Sequence, residues 1–244
     1  MPSRHQGFPR SALKFFRDLE KNNDRTWFAA HKHIFDADVR PPMIALVSGL
    51  ADELRKCAVD CVPERPEKTI YRIYRDTRFS KDKTPYKAHI AAHFQHRRLP
   101  KNSGAGFYFQ ISHETVAVGG GIYMPGPEQL AAVRGAIAQD HVAFRKICTG
   151  KSILKKLGKL QGDALKRPVK GFDVDHPAAD LLRMKQWFFY TALDPKLAIS
   201  PSLHKELAER FRLAAPLVNW INDVCVAAMQ SEEPSRPKRP EPMF

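Results

Sequence analysis

The spacing of apolar residues changes twice along this 244-residue chain, and that change limits the folds it can adopt. Up to about residue 54, apolar residues recur every three or four positions, which is the period of an amphipathic helix. Between residues 88 and 118 they recur at every second position, which is the period of a half-buried strand. From Ser200 onward the helical period returns over a long stretch. Helices, then strands, then helices again are typical of an α+β fold.

The first part of the chain predicts three helices. Ser11 and Asp24 have side chains that can cap the first two helices, and Pro41-Pro42 separates the second helix from the third. A proline-containing connector, residues 62–66, follows the third helix. The N-terminal region is therefore expected to be helical up to the beginning of the alternating segment.

The alternating segment predicts an antiparallel sheet. Residues 88–95 form the first expected strand, and residues 107–111 and 116–118 form a hairpin across a short polar turn. Strands this close in sequence should pair antiparallel. The alternation at residues 187–191 indicates one more strand. The predicted fold is α+β, with N-terminal helices, a central mostly antiparallel sheet and C-terminal helices.

Length and composition favour a single domain. With 43% hydrophobic residues, the chain can bury one sizeable core. We expect one α+β domain over residues 1–230, followed by a disordered, proline-rich and charged tail over residues 231–244. There is no apolar N-terminal segment typical of a signal peptide and no apolar run of about 18 residues. The expected protein is cytoplasmic and does not enter a membrane, and its four cysteines are expected to be reduced thiols.

The net charge of +14 is concentrated in two segments. The first basic segment, residues 71–87, has six cations and two acids, together with four aromatic residues. The second basic segment, residues 145–170, has nine cations and one acid. The two segments together supply +12 of the net charge, which is the sum of +4 and +8. Such a concentrated positive field favours anionic partners.

The first basic segment predicts a binding site for an anion. Tyr71, Ile73 and Tyr74 favour a strand, on which Arg72, Asp76 and Arg78 would lie on one face. Asp76 would then orient the guanidinium groups, which suit phosphate or carboxylate oxygens. The predicted ligand-binding residues are Arg72, Arg75, Arg78, Lys83 and Tyr86, supplemented by Lys166 and Arg167 from the second basic segment. An exposed edge strand, protected from aggregation by its charges, explains the same composition.

The first basic segment also carries a family signature. Arg72, Arg75, Asp76, Arg78 and Phe79 form an R-x-x-R-D-x-R-F pattern, and Asp82, Lys83 and Tyr86 follow. This pattern resembles that of the domain of unknown function family 2461, a family of uncharacterised, mainly bacterial conserved hypothetical proteins.

The resemblance extends over nearly the whole chain, to about Ala228. It includes residues 22–28, the run from Gly119 to Tyr123, and Leu165-Lys166-Arg167 with Lys170-Gly171. A departure occurs at Pro168-Val169, where the family places proline directly before the lysine. The resemblance implies an α+β domain and one folding unit, and it implies no activity, catalytic residue or cofactor.

Two other patterns contain residues that could bind a metal ion or a phosphate. His89 and His93 share the polar face of the predicted strand and could meet His113 across the sheet, but exposed polar positions explain them as well, and no metal site is predicted. Gly119-Gly120-Gly121 lacks the spacing of a phosphate-binding loop. It is predicted to be a strand end with unusual backbone dihedrals.

Three functions are compatible with these patterns. The first is a domain that binds a phosphate-bearing small molecule or nucleotide, in which the only local candidates for catalysis are Asp76 and Asp82. The second is a nucleic-acid-binding module whose two basic segments form one track. The third is a structural or interaction protein in which the arginines and Asp76 form an internal ion network. The patterns identify no reaction, and whether the protein is an enzyme is left open.

Overall fold

Three helices precede the sheet, as their apolar spacing predicts. The computed structural model describes residues 6–101 and 103–232. The helices are α1 (Arg10–Lys21), α2 (Arg25–Ile34) and α3 (Arg40–Leu54), with a π-helical turn, Phe35–Val39, between the last two.

The helix ends follow the expected capping in one case and depart from it in another. Asp24 caps α2, because its carboxylate accepts a 2.8 Å hydrogen bond from the backbone N–H of Trp27. The predicted cap at Ser11 is wrong. Helix α1 begins at Arg10 with Pro9 at the N-cap position, two residues before Ser11, and the carbonyl of the extended Pro9 accepts the N–H of Ala12 at 3.0 Å.

Four antiparallel strands form the sheet, in the order β1-β2-β3-β4. They are β1 (His89–Gln95), β2 (Gly106–Ser112), β3 (Val116–Ile122) and β4 (Trp187–Leu193). The predicted hairpin connects β2 to β3, and the Ser112 hydroxyl accepts the N–H of Thr115 at 3.0 Å in its turn. The predictions of an α+β fold and an antiparallel sheet are therefore confirmed.

The remaining helices pack around one face of this sheet. They are α4 (Pro127–Gln139), α5 (His141–Cys148), α6 (Lys151–Lys156), the short α7 (Ala179–Leu182) and the long α8 (Leu203–Glu232). Within the part of the chain that the structure describes, each helix is too short or too polar to cross a membrane. The predicted tail lies outside the described residues from position 233 onward.

Helix α8 covers the core face of the sheet. Phe211 on this helix contacts Phe107, Phe94 and Phe109, with ring centroids 5.0, 6.0 and 6.4 Å away. The strands supply a matching apolar row, since Phe94, Phe107, Gly120 and Phe189 occupy paired positions on β1 to β4. The residues that alternate with this row lie on the opposite face of the sheet.

The three glycines lie inside β3 and do not form its end. At Gly120 an added Cβ would lie 2.7 Å from the Cβ of Ala214, so this position is kept small by the close approach of α8. Gly121 has a φ of 135°, which favours glycine. The prediction of unusual dihedrals is correct for Gly121, and the prediction of a strand end is wrong.

Candidate functional site

The first basic segment is a loop attached to the outer edge of β1. Its beginning bonds to the sheet, where the N–H of Tyr71 donates to the carbonyl of Ala91 at 2.9 Å. Its end returns to its beginning, where the N–H of Lys87 donates to the carbonyl of Ile73 at 2.8 Å. The predicted strand over residues 72–78 is wrong, because the segment pairs its backbone with itself and forms only isolated bridges. Both ends of the loop thus lie at the same place on the sheet edge.

The junction of α1 and α2 holds this loop in position. The Asn23 side chain donates to the carbonyl of Tyr86 at 3.0 Å and accepts the N–H of Tyr86 at 3.0 Å. The Phe28 ring stacks on the Tyr86 ring, with centroids 4.1 Å apart and planes inclined by 17°. Tyr86 is only 6% exposed, and burial raises the pKa of its hydroxyl. Tyr86 therefore anchors the loop to the junction of α1 and α2.

Most charged groups of the loop bond within it. Arg75 donates to the Asp82 carboxylate and to the Thr84 hydroxyl. The Arg78 guanidinium donates to both oxygens of Asp76, at 3.0 and 2.7 Å.

Lys83 is bonded within the loop as well, because its ammonium group donates to the Thr77 carbonyl at 2.8 Å. Three of the predicted ligand-binding side chains, those of Arg75, Arg78 and Lys83, thus shape the loop that carries them.

The hydrogen bonds within the loop also make Asp76 and Asp82 weak bases. Hydrogen bonds from Arg78 lower the pKa of Asp76 to about 2, and hydrogen bonds from Arg75 and Thr84 lower that of Asp82 to about 2. A carboxylate with so low a pKa takes up a proton poorly at neutral pH. The geometry therefore favours an orienting role for both aspartates.

The ion pair between Arg78 and Asp76 predicts how the loop responds to a fall in pH. Because the folded-state pKa of Asp76 lies below its ordinary value of 3.8, the pairing stabilises the loop fully above pH 3.8 and is lost as the pH falls towards 2. We expect Arg78→Ala to move the Asp76 midpoint up towards 3.8, measured by carboxyl-detected NMR titration. The Asp82 midpoint, which depends on Arg75, serves as the internal control. An unchanged Asp76 midpoint in the variant would contradict the assignment of this pair.

Arg72 and Lys87 take no part in these ion pairs of the loop. The Lys87 ammonium group donates to the Arg72 carbonyl at 3.1 Å and lies 5.2 Å from the centroid of the Tyr71 ring. Burial, and then the charge of Arg72, lowers the pKa of Lys87. Arg72 is exposed, and its guanidinium makes no hydrogen bond to any other described residue. The loop thus brings a free guanidinium and a partly desolvated ammonium group to one point of the sheet edge.

These two cations border the face of the sheet opposite α8, which we name the open face. A row of paired positions crosses it on all four strands, namely His93, Tyr108, Gly119 and Tyr190. Tyr71 extends the row beyond β1, because its hydroxyl lies 3.3 Å from His93 Nδ1. The flanking positions on this face are mostly small, namely Ala91, Gly106, Ala117, Gly121 and Ala192. Ala91 and Ala117 are 3% and 0% exposed, so the side chains of this row cover the small residues beside them.

Burial keeps the His93 and Tyr108 rings of this row neutral at physiological pH. Burial lowers the pKa of His93 to about 4, and burial together with the charge of Lys87 lowers that of His89 to about 4. Burial, with Tyr190 and Tyr71 nearby, raises the pKa of the Tyr108 hydroxyl. The open face thus offers neutral hydrogen-bonding groups, and the positive charge lies at its β1 edge.

The second basic segment reaches the other edge of the sheet. Residues on both sides of Gly162 bridge to the β4 side, with Gln161 opposite Phe188 and Ala164 opposite Met184. Lys166 and Arg167 follow and are exposed. Since neighbouring strands lie about 4.8 Å apart, roughly 14 Å of sheet separates the two edges. The structure brings Arg72 and Lys87 together and places Lys166 and Arg167 on the far side.

One group of side chains has the composition of a metal site. Glu20, His113 and Glu114 offer ligand atoms within 4.8 Å of one another, and in the described residues this is the only such group. His113 Nε2 lies 3.3 Å from the Glu20 carboxylate, so an ion pair accounts for the contact when the imidazole is protonated. His89 and His93 lie outside this group, and His89 pairs with Ser112 in the sheet.

Sequence reasoning found the loop but missed most of the open face. Tyr108 and Gln110 alternate with Phe107, Phe109 and Ile111, so the same period-two pattern that predicts the strand also marks them as its polar side. Tyr190 occupies the corresponding position on β4. No local signal connects Tyr71 to this row, because the contact depends on where the loop joins β1.

Fold and site together define an α+β domain whose helices cover one face of an antiparallel sheet and whose other face is polar and bordered by a basic loop. A family model described as conserved hypothetical protein (DUF2461) matches residues 11–220. The chain therefore belongs to this family, which confirms the resemblance seen in its sequence. No curated protein and no solved structure matches the chain.

Proposed function

We propose that the protein binds a phosphate-bearing small molecule where the first basic segment meets the open face. The observation that carries this proposal is the position of Arg72 and Lys87 beside each other at the margin of a neutral, partly buried surface. A guanidinium offers paired N–H donors that match phosphate oxygens, and an ammonium group adds a compact charge. Partial burial of Lys87 strengthens its interaction with an anion, because water screens it less.

The other charged residues of the loop have a positioning role in this proposal. The Arg75–Asp82 and Arg78–Asp76 pairs fix the loop backbone, and Asn23 fixes its return to the sheet. Arg72 and Lys87 are thereby held near each other before a ligand arrives. Preorganisation of this kind lowers the entropic cost of binding. The internal ion pairs of the loop therefore hold the two cations of the proposed anion site in position.

Arg72→Gln is expected to weaken binding strongly. Isothermal titration calorimetry with a panel of sugar phosphates and nucleoside phosphates should identify a ligand of the wild-type protein. A hydrogen bond to a charged group is worth about 1.5–3 kcal/mol, so the variant should bind that ligand roughly 10- to 100-fold more weakly. Because Arg72 is exposed and its guanidinium is unbonded in the described structure, the melting temperature should stay the same.

The matched control is Lys166→Gln, which removes one exposed cation at the opposite edge of the sheet. It lowers the net charge by the same amount, so it measures the general electrostatic effect. Equal loss of affinity in the two variants would show that net charge alone attracts the ligand. Absence of binding across the whole panel would refute the proposed function.

A further inference from the structure

Three metal-ligating side chains meet where the turn between β2 and β3 lies beside α1. Glu20 is on α1, and His113 and Glu114 are in the turn, with ligand atoms that lie within 4.8 Å of one another. We infer that these three residues bind a divalent transition-metal ion such as Zn²⁺. The site shares no residue with the proposed anion site, so the inference goes beyond the proposed function and does not depend on it.

The backbone positions these ligands before an ion arrives. The Ser112 hydroxyl accepts the N–H groups of Glu114 and Thr115 at 3.2 and 3.0 Å, and it donates to the Thr115 carbonyl at 3.1 Å. Ser112 is only 6% exposed, so the turn is fixed at its base. Glu20 follows Leu19, whose side chain is fully buried in the core. Two fixed elements therefore present the ligands, which is what a precise metal site requires.

The distance between the first two ligand atoms fits a shared metal ion. Zn²⁺ binds nitrogen and oxygen ligands at about 2.0–2.2 Å, so two ligands at a tetrahedral angle lie about 3.3–3.6 Å apart. His113 Nε2 lies 3.3 Å from the Glu20 carboxylate. Glu114 is exposed on the turn, so its side chain can rotate to bring the third ligand atom into the same range.

The burial of His113 leaves one ring nitrogen for an ion. The His113 side chain is 13% exposed, and its Nδ1 atom is buried without a hydrogen-bond partner in the described part of the chain. Nε2 is the ring nitrogen in contact with Glu20. The imidazole therefore presents Nε2 to the carboxylates.

The charge and the chemistry of the three ligands favour a transition metal. Within the described residues, neither Glu20 nor Glu114 forms an ion pair with a lysine or an arginine, and Glu20 contacts only the imidazole of His113. Two carboxylates together carry the charge that a divalent cation neutralises. Carboxylates alone suit Mg²⁺ or Ca²⁺, whereas an imidazole ligand favours Zn²⁺ and its neighbours. Three protein ligands also leave a coordination position open to water.

The test is isothermal titration calorimetry of the metal-free full-length chain with Zn²⁺. His113→Gln and Glu114→Gln should each weaken binding at this site at least about tenfold, because each removes one of three ligands. Glu114 is exposed, so Glu114→Gln should retain the melting temperature of the metal-free protein. His33→Gln, which removes an exposed imidazole on α2, is the matched control and should leave the affinity unchanged. Mg²⁺ should bind at least about tenfold more weakly than Zn²⁺.

A readout specific to the site distinguishes it from zinc bound elsewhere, since the chain has ten histidines and four cysteines. In NMR spectra of the imidazole side chains, the His113 signals should change before those of His33 as Zn²⁺ is added. Absence of Zn²⁺ binding would overturn the inference, and so would binding that neither His113→Gln nor Glu114→Gln weakens. Equal affinity for Mg²⁺ and Zn²⁺ would contradict the assigned class of metal. These outcomes leave the proposed function untouched, because Arg72→Gln tests it with a different ligand.

Discussion

Acidification from pH 6.5 to pH 4 is expected to lower the free energy of unfolding by about 3 kcal/mol through His93 alone. Burial lowers the pKa of His93 in the folded protein to about 4, against an ordinary value of 6.5. Between these two pH values the unfolded chain binds a proton that the folded protein does not, so stability falls as the pH falls. One proton over one pH unit is worth about 1.4 kcal/mol. The full stabilisation is present above pH 6.5.

The groups that face His93 support this sign. Tyr71 and Tyr108 are neighbouring neutral hydroxyls, and the Lys87 ammonium group lies over the Tyr71 ring. No carboxylate contributes to the change in the pKa of His93. Protonation of the imidazole is therefore uncompensated in the folded state.

The measurement is urea unfolding at pH values between 4 and 7.5. His93→Gln should flatten the pH dependence by about 3 kcal/mol across this window. His33→Gln removes an exposed imidazole on α2 and should leave the dependence unchanged. If His93→Gln and the wild-type protein lose stability in parallel, His93 does not carry the acid sensitivity.

Phe211→Ala should destabilise the protein by about 3–5 kcal/mol. Phe211 is 1% exposed, and its ring contacts one phenylalanine on β1 and two on β2. Deleting it removes apolar contact area and leaves a cavity between α8 and the sheet. Urea unfolding at pH 7.5 measures the change.

Phe79→Ala is the control for this substitution, because it deletes the same ring from an exposed position and should change stability by less than about 0.5 kcal/mol. A change below about 1 kcal/mol for Phe211→Ala would contradict the assignment of this ring to the centre of the core.

Local sequence patterns predict the strands of the sheet correctly, but they predict the conformation of the first basic segment incorrectly. The antiparallel sheet was predictable because alternation at residues 88–118 records which side of each strand is buried. The strand expected over residues 72–78 was predicted from the propensities of Tyr71, Ile73 and Tyr74. In the structure the backbone of that segment bonds to residues 85–87. Propensity describes a residue's local preference, whereas pairing depends on which other backbone comes within reach.

The roles of the signature residues likewise depend partly on local sequence and partly on contacts that form only in the folded chain. Their charge and spacing predicted correctly that Asp76 lies with an arginine, and the pair it forms is with Arg78. Which cations remain free was unpredictable, since Arg75 is satisfied by Asp82 and Thr84 only after the chain turns back. Asn23 and Tyr86 are 63 residues apart in sequence, and their reciprocal hydrogen bonds exist only in the folded chain.

The fold class, the family and the location of the first basic segment follow from the sequence, because periodicity, the signature pattern and charge are properties of neighbouring residues. The folded chain brings Arg72 and Lys87 together at the sheet edge and aligns Tyr71, His93, Tyr108 and Tyr190 in one row. It also places Lys166 and Arg167 at the opposite edge. Local patterns do not predict these arrangements, because strand order and register set which distant side chains share a face.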